Sequence, residues 1–254
     1  MLSPFRARAP RAVERSALLV SLGLLAAAAW LALWLSRGSG LFHYHHLRLS
    51  QMATPSVTLL FVMSWTVMTV AMMLPTSLPI LATLHTLAGD RADRLLLVAL
   101  TAFGYLGVWS LFGALVYLAQ FGLKWLAASN PQLEQRLPAA APLLLLLAGA
   151  FQFTSLKYRC LEKCRSPFSF VMEHWQGQRE RWQSFRLGID HGLFCVGCCW
   201  ALMLLMFAVG AGSLAWMLVL ALAMAIEKNA PWGRRLSAPV GIALLAWGAA
   251  LLLT

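Results

Sequence analysis

The chain alternates long apolar stretches with short polar breaks, and the stretches have the length of membrane crossings. A crossing needs about 20 apolar residues. Runs near that length cover approximately Ser16–Leu35, Val57–Leu84, Leu95–Leu118, Ala140–Leu156, His191–Val209, Leu214–Ile226 and Val240–Leu253. They predict an all-α, polytopic transmembrane helix bundle with about seven crossings. The sixth and seventh runs are the shortest. Pro75 and Pro79 fall inside the second, where they free backbone carbonyls that a cavity or a neighbouring helix must satisfy. Residues 1–15 read as a basic N-terminal segment and 16–254 as one transmembrane domain. Arg6, Arg8, Arg11 and Arg15 precede the first run as in a signal peptide. That run exceeds a signal core of roughly 7–15 residues and no small-residue cleavage pattern follows it, so it reads as a retained anchor.

Composition strengthens this reading. Hydrophobic residues make up 60% of the chain and charged residues only 11%, against about 25% charged in a soluble domain. A chain this apolar cannot cover its own surface with polar groups, which excludes a soluble enzyme, a disordered protein and a nucleic-acid-binding domain. The net charge of +11 then reads as basic loops facing the cytoplasm. With the N-terminus inside, the inner side holds sixteen of the 20 Lys and Arg residues. Arg37, Arg48, Lys124 and Arg136 remain on the outer side. The bias predicts a cytoplasmic N-terminus, an external C-terminus and a cytoplasmic (inner) membrane location.

The candidate chemistry is sulfur. All five cysteines lie between residues 160 and 199. Cys160 and Cys164 follow the fourth run. Cys195, Cys198 and Cys199 open the fifth, behind His191. At about 100° per residue, His191, Cys195, Cys198 and Cys199 fall at roughly 0°, 40°, −20° and 80°, one stripe on a helix, and Met203 continues it. The second run carries Met63, Met68, Met72 and Met73. The predicted topology brings Met72 and Met73, Cys160 and Cys164, and the Cys195–Cys199 stripe to one depth in the inner half of the membrane. Thiolate and thioether are soft ligands that favour Cu(I), with zinc as the competitor. The thiols also lie near Lys157, Arg159, Lys163 and Arg165, and positive charge favours the thiolate that metal binding needs. Core packing is the alternative for any one methionine. A Cys-x-x-Cys also serves as a redox pair, and the zinc pattern of two distant Cys-x-x-Cys pairs is absent.

Other features are less specific. His43, His45 and His46 form an outer-side cluster able to capture Cu(II) or Zn(II), or a solvated interfacial loop. Asp190 and Glu227 sit at inner ends of crossings, where charges commonly reach water. No phosphate loop, nucleophile elbow or paired intramembrane carboxylates occur.

Four segments carry a family resemblance: Trp65–Pro79 (WTVMTVAMMLPTSLP), Phe151–Pro167 (FQFTSLKYRCLEKCRSP), His191–Met206 (HGLFCVGCCWALMLLM) and Glu227–Lys228. Over roughly residues 55–250 the chain resembles a bacterial family of predicted metal-binding integral membrane proteins, catalogued as domain of unknown function 2182. The resemblance implies a metal, with copper the usual suggestion, and no established reaction.

The resulting expectation is a bacterial inner-membrane protein handling Cu(I), by delivery, storage or export, in support of a copper-enzyme or copper-chaperone partner. The expected ligands are Cys160, Cys164, Cys195, Cys198 and Cys199, with His191 as ligand or orienting group and Met72, Met73 and Met203 as auxiliary thioethers. The rivals are a membrane thiol–disulfide oxidoreductase using Cys195 and Cys198, and a structural subunit of a membrane complex.

Overall fold

The computed structural model describes residues 9–36, 55–175, 179–209 and 213–253, and these form helices without strands. The His43–His46 cluster lies outside the described residues. In chain order the helices are α1 (Ala9–Ser36), α2 (Pro55–Met72), α3 (Leu78–Leu87), α4 (Arg94–Ala128), α5 (Pro131–Arg136), α6 (Ala140–Phe151), α7 (Ser155–Arg165), α8 (Pro167–His174), α9 (Glu180–Val209), α10 (Leu214–Asn229) and α11 (Ser237–Leu253). Five helical segments are long and apolar enough to cross a membrane: those within α1, α2, α4 and α9, and Gly233–Leu253. The pair α6 and α7 makes a sixth if taken as one span bent by 66°. Large apolar side chains such as Leu24, Phe103, Leu111, Leu115, Leu147 and Ile242 are exposed on these helices, as a lipid-facing surface requires.

Three expected boundaries move. The second run is not one helix to Leu84. Instead α2 stops at Met72, a 3₁₀ turn covers Pro75–Ser77, and α3 restarts at Leu78. Proline has no N–H, so Pro75 leaves the carbonyl four residues back, that of Ala71, without its helical donor. The Trp30 indole of α1 donates to that carbonyl at 3.0 Å. The fifth run begins eleven residues before His191, because the charged turns from Glu180 continue the same helix. The basic segment between the fourth and fifth runs is itself helical, as α7 and α8.

The centre of the bundle is α4 against α9. A Cβ on Gly188 would run into the Thr101 carbonyl, and one on Gly104 into that of Phe185. The two backbones therefore approach closely through small residues, as apolar helices do where van der Waals packing holds them. Thr101 Oγ1 crosses the same seam to the Ser184 carbonyl at 2.9 Å. Helix α9 also packs on α6 and α7, α2 on α4 and α1, and α6 on α11.

One end of the bundle gathers the charges. Arg91 pairs with Glu180, and Arg181 lies 3.7 Å from Asp93. The Arg91 guanidinium also holds the Asp93 carboxyl below the usual carboxylate range. Deeper in, Lys157 Nζ of α7 donates to both Glu227 oxygens of α10 at 2.8 Å and to Gln152. Ser237 of α11 donates to Glu227 Oε1 at 2.8 Å. Arg165 closes this end by donating to the carbonyls of Glu227 and Pro231. Lys157 and Glu227 are 0% and 2% exposed, so each charge depends on the other.

Removing one partner of this pair leaves a buried charge alone. Lys157→Met is expected to cost about 3–5 kcal/mol. Adding Glu227→Gln to it should recover most of that loss. Unfolding midpoints in detergent check this; equal losses in the single and double variants would contradict it.

Candidate metal centre

The centre is built where the break in α2 meets the α9 stripe. Around Pro75 the helix gives way to a 3₁₀ turn, and the Met73 carbonyl accepts from the Thr76 N–H at 3.1 Å, the Thr76 hydroxyl at 2.7 Å and the Tyr105 hydroxyl at 3.4 Å. The break is thus satisfied by 3₁₀ backbone bonds together with side chains. It also sets the Met73 thioether against Cys199 of α9 and the Thr76 hydroxyl against the end of α10.

On α9 the helical period carries Cys195, Cys198 and Cys199 to the inside, all buried. Cys198 and Cys199 donate their thiols to the Cys195 carbonyl at 3.1 and 2.9 Å. The Cys199 sulfur lies 3.8 Å from the Met73 sulfur. Cys195 has the Tyr105 hydroxyl at 3.1 Å. Cys164, half-buried on α7, packs against the same core cluster as Cys195, Cys198 and Cys199. Cys160 packs on Gly197, where a Cβ would lie 2.7 Å from its sulfur. Both cysteine groups and Met73 therefore belong to one buried cluster, which also contains Met72 and Met203.

His191 lies beside this cluster. Its Nε2 is 3.2 Å from Ser77 Oγ, and its ring stacks on Tyr105 with centroids 5.4 Å apart. Nδ1 is buried and has no hydrogen-bond partner among the described residues. The histidine supports the tyrosine and the turn after Pro75.

The residue that sequence reasoning underrated is Lys228, at the last turn of α10. Its Nζ donates to Cys195 Sγ at 2.9 Å and to Thr76 Oγ1 at 3.3 Å. It also lies 3.7 Å from the Met73 sulfur and 3.8 Å from the Cys199 sulfur. An ammonium thus sits among three sulfurs and a hydroxyl. The available signal was the Glu227–Lys228 dipeptide closing an apolar run. The cations expected to act on the thiols included Lys157, which is instead committed to Glu227 and Gln152.

Among the described residues, no three His, Cys, Asp or Glu side chains are arranged to hold a metal ion together. The sulfurs are near one another, but protein donors engage them. The donor set is nonetheless soft, thiol with thioether, and fits a soft monovalent ion better than a hard one.

No curated protein and no solved structure matches the chain. A family model does, over residues 62–251, a range that contains α4 to α10, every cysteine, Met73 and Lys228. Its description is that of a copper chaperone, and the chain accordingly belongs to the PpoB2 copper chaperone family.

Proposed function

We propose that this protein is a polytopic membrane copper chaperone whose cargo is Cu(I), held by sulfur at one end of the bundle and handed to a copper enzyme. The observation that carries the proposal is the meeting of Cys195, Cys199 and Met73 from two distant segments, with Cys198 in the same buried cluster and Cys164 packed against it. Sulfur donors suit Cu(I), while zinc gains little from a thioether. Cys195 and Cys199 supply the thiolates and Met73 a thioether. Cys198, in the same cluster, and Cys164, packed against it, receive the ion or pass it on. Cys160, Met72 and Met203 frame the cluster, and His191 orients Tyr105. Several exchangeable thiols fit a carrier, which must release what it binds.

The membrane setting belongs to the same proposal. The basic end of the bundle faces the cytoplasm of a bacterial inner membrane, with the N-terminus on that side. Seven crossings then require α10 to span. Its 16 residues make about 24 Å of helix, short against a hydrocarbon core of about 30 Å. Local thinning and the reach of flanking side chains make up such a difference.

Purified protein loaded under reducing conditions should carry Cu(I) in preference to Zn(II). Replacing Cys195, Cys198 and Cys199 together with serine, a hard and poor ligand for a soft ion, should lower bound Cu(I) about ten-fold or more. Insertion should persist, because it follows the whole apolar span. Metal content per chain measures both. Full occupancy in the triple variant would make the stripe a packing feature.

Reporter fusions check the orientation at its weakest helix. A fusion after Ser213 should be active in the periplasm and one after Pro231 in the cytoplasm. Activity of both on one side would remove α10 from the crossings.

A further inference from the structure

The Lys228 ammonium occupies the place a cation cargo needs. Nζ lies 2.9 Å from Cys195 Sγ, 3.7 Å from Met73 Sδ and 3.8 Å from Cys199 Sγ. A metal held by these atoms draws them in to about 2.3 Å. It would press against a group with no lone pair to offer and the same sign of charge. Ammonium and Cu(I) are both monovalent, so exchanging one for the other brings no extra cationic charge into the cradle; the Cys199 thiol, which donates to the Cys195 carbonyl before loading, gives up its proton to solvent as it becomes a thiolate ligand. A fixed counter-charge would not need to move with the cargo.

The surroundings permit the exchange. Glu227, the neighbouring residue, is held by Lys157, Ser237 and, through its carbonyl, Arg165. The end of α10 is thereby anchored independently of Lys228. Beyond Lys228 the chain is exposed at Asn229, Pro231 and Trp232. A four-carbon stem one residue from that exposed turn can carry its charged head to water while its methylenes stay against apolar surface. The anchor stays fixed and only the lysine side chain has to leave.

We infer that Lys228 is a tethered competitor for the cargo: Cu(I) enters the Cys195–Cys199–Met73 cradle by displacing the Lys228 ammonium, and the return of the ammonium speeds release. This inference rests on the Cu(I) reading above and assigns the residue that makes the site exchange its metal. No bond to the lysine nitrogen forms or breaks, and no electron moves. One monovalent cation replaces another on the same sulfurs, and the Cys199 S–H bond breaks with its proton passing to solvent.

The test compares Cu(I) transfer from preloaded, detergent-solubilised full-length protein to a water-soluble Cu(I) chelator in the parent, Lys228→Leu, Lys228→Gln and Lys228→Arg. Deleting the competing charge should slow transfer at least about ten-fold in the Leu and Gln variants. The Arg variant, which keeps a cation on a similar stem, should stay within about three-fold of the parent. Transfer from the Leu and Gln variants as fast as from the parent would overturn the inference. So would failure of both to load Cu(I) while the parent loads, since Lys228 would then hold the sulfurs ready and not compete for them. If the parent itself takes up no Cu(I), the copper reading falls and the inference falls with it. Slow transfer in all three variants would mean that the shape of the lysine matters and its charge does not, which also overturns it.

Discussion

Buried charge at the foot of α10 governs the arrangement of the protein. Glu227 and Lys228 are consecutive, so their side chains leave the helix about 100° apart. One turns toward α7 and α11 and the other toward α9 and the break in α2. An ion buried in apolar surroundings is tolerated only with partners. Glu227 finds Lys157 and Ser237, and Lys228 finds Cys195 and Thr76. These requirements pull five helical segments to one point. The carboxylate side makes a closed anchor. The ammonium side faces sulfur, a weak partner by comparison, and is the side from which a charge can be released.

The break in α2 completes the cradle from the opposite wall. An unbroken helix would keep the Met73 carbonyl in its own ladder and carry Thr76 on around the helix. Pro75 prevents this, and the freed groups are taken up by Trp30, Thr76 and Tyr105. Irregular backbone within an apolar bundle persists where other protein groups satisfy it. Here the same groups place a thioether against a thiol 126 residues away in sequence. The packing of the break and the sulfur cluster therefore draw on the same few side chains.

Much of this architecture is legible in the sequence because apolar length and helical period are local properties. The long helices follow the apolar runs, and the stripe from His191 to Cys199 is buried as its spacing requires. Hydropathy is blind to the backbone, so it reads through Pro75 and through the 66° bend between α6 and α7. It also ends the fifth run where charges begin, although Arg181 and Arg186 sit on turns that continue the helix at the edge of the bundle. Lys228 is the most consequential residue that hydropathy misplaces. A lysine at the end of an apolar run looks like one reaching for water, and nothing near it in sequence reveals partners at residues 76 and 195. The family comparison supplies copper, and the geometry supplies the atoms that would meet it.

The central claim is that copper is carried by sulfur at the Cys195–Cys199–Met73 cradle. X-ray absorption at the copper edge of the Cu(I)-loaded protein tests it most directly. The account predicts a first shell dominated by sulfur at about 2.3 Å, with the sulfur contribution reduced by Cys195→Ser. A shell of nitrogen or oxygen alone would contradict it.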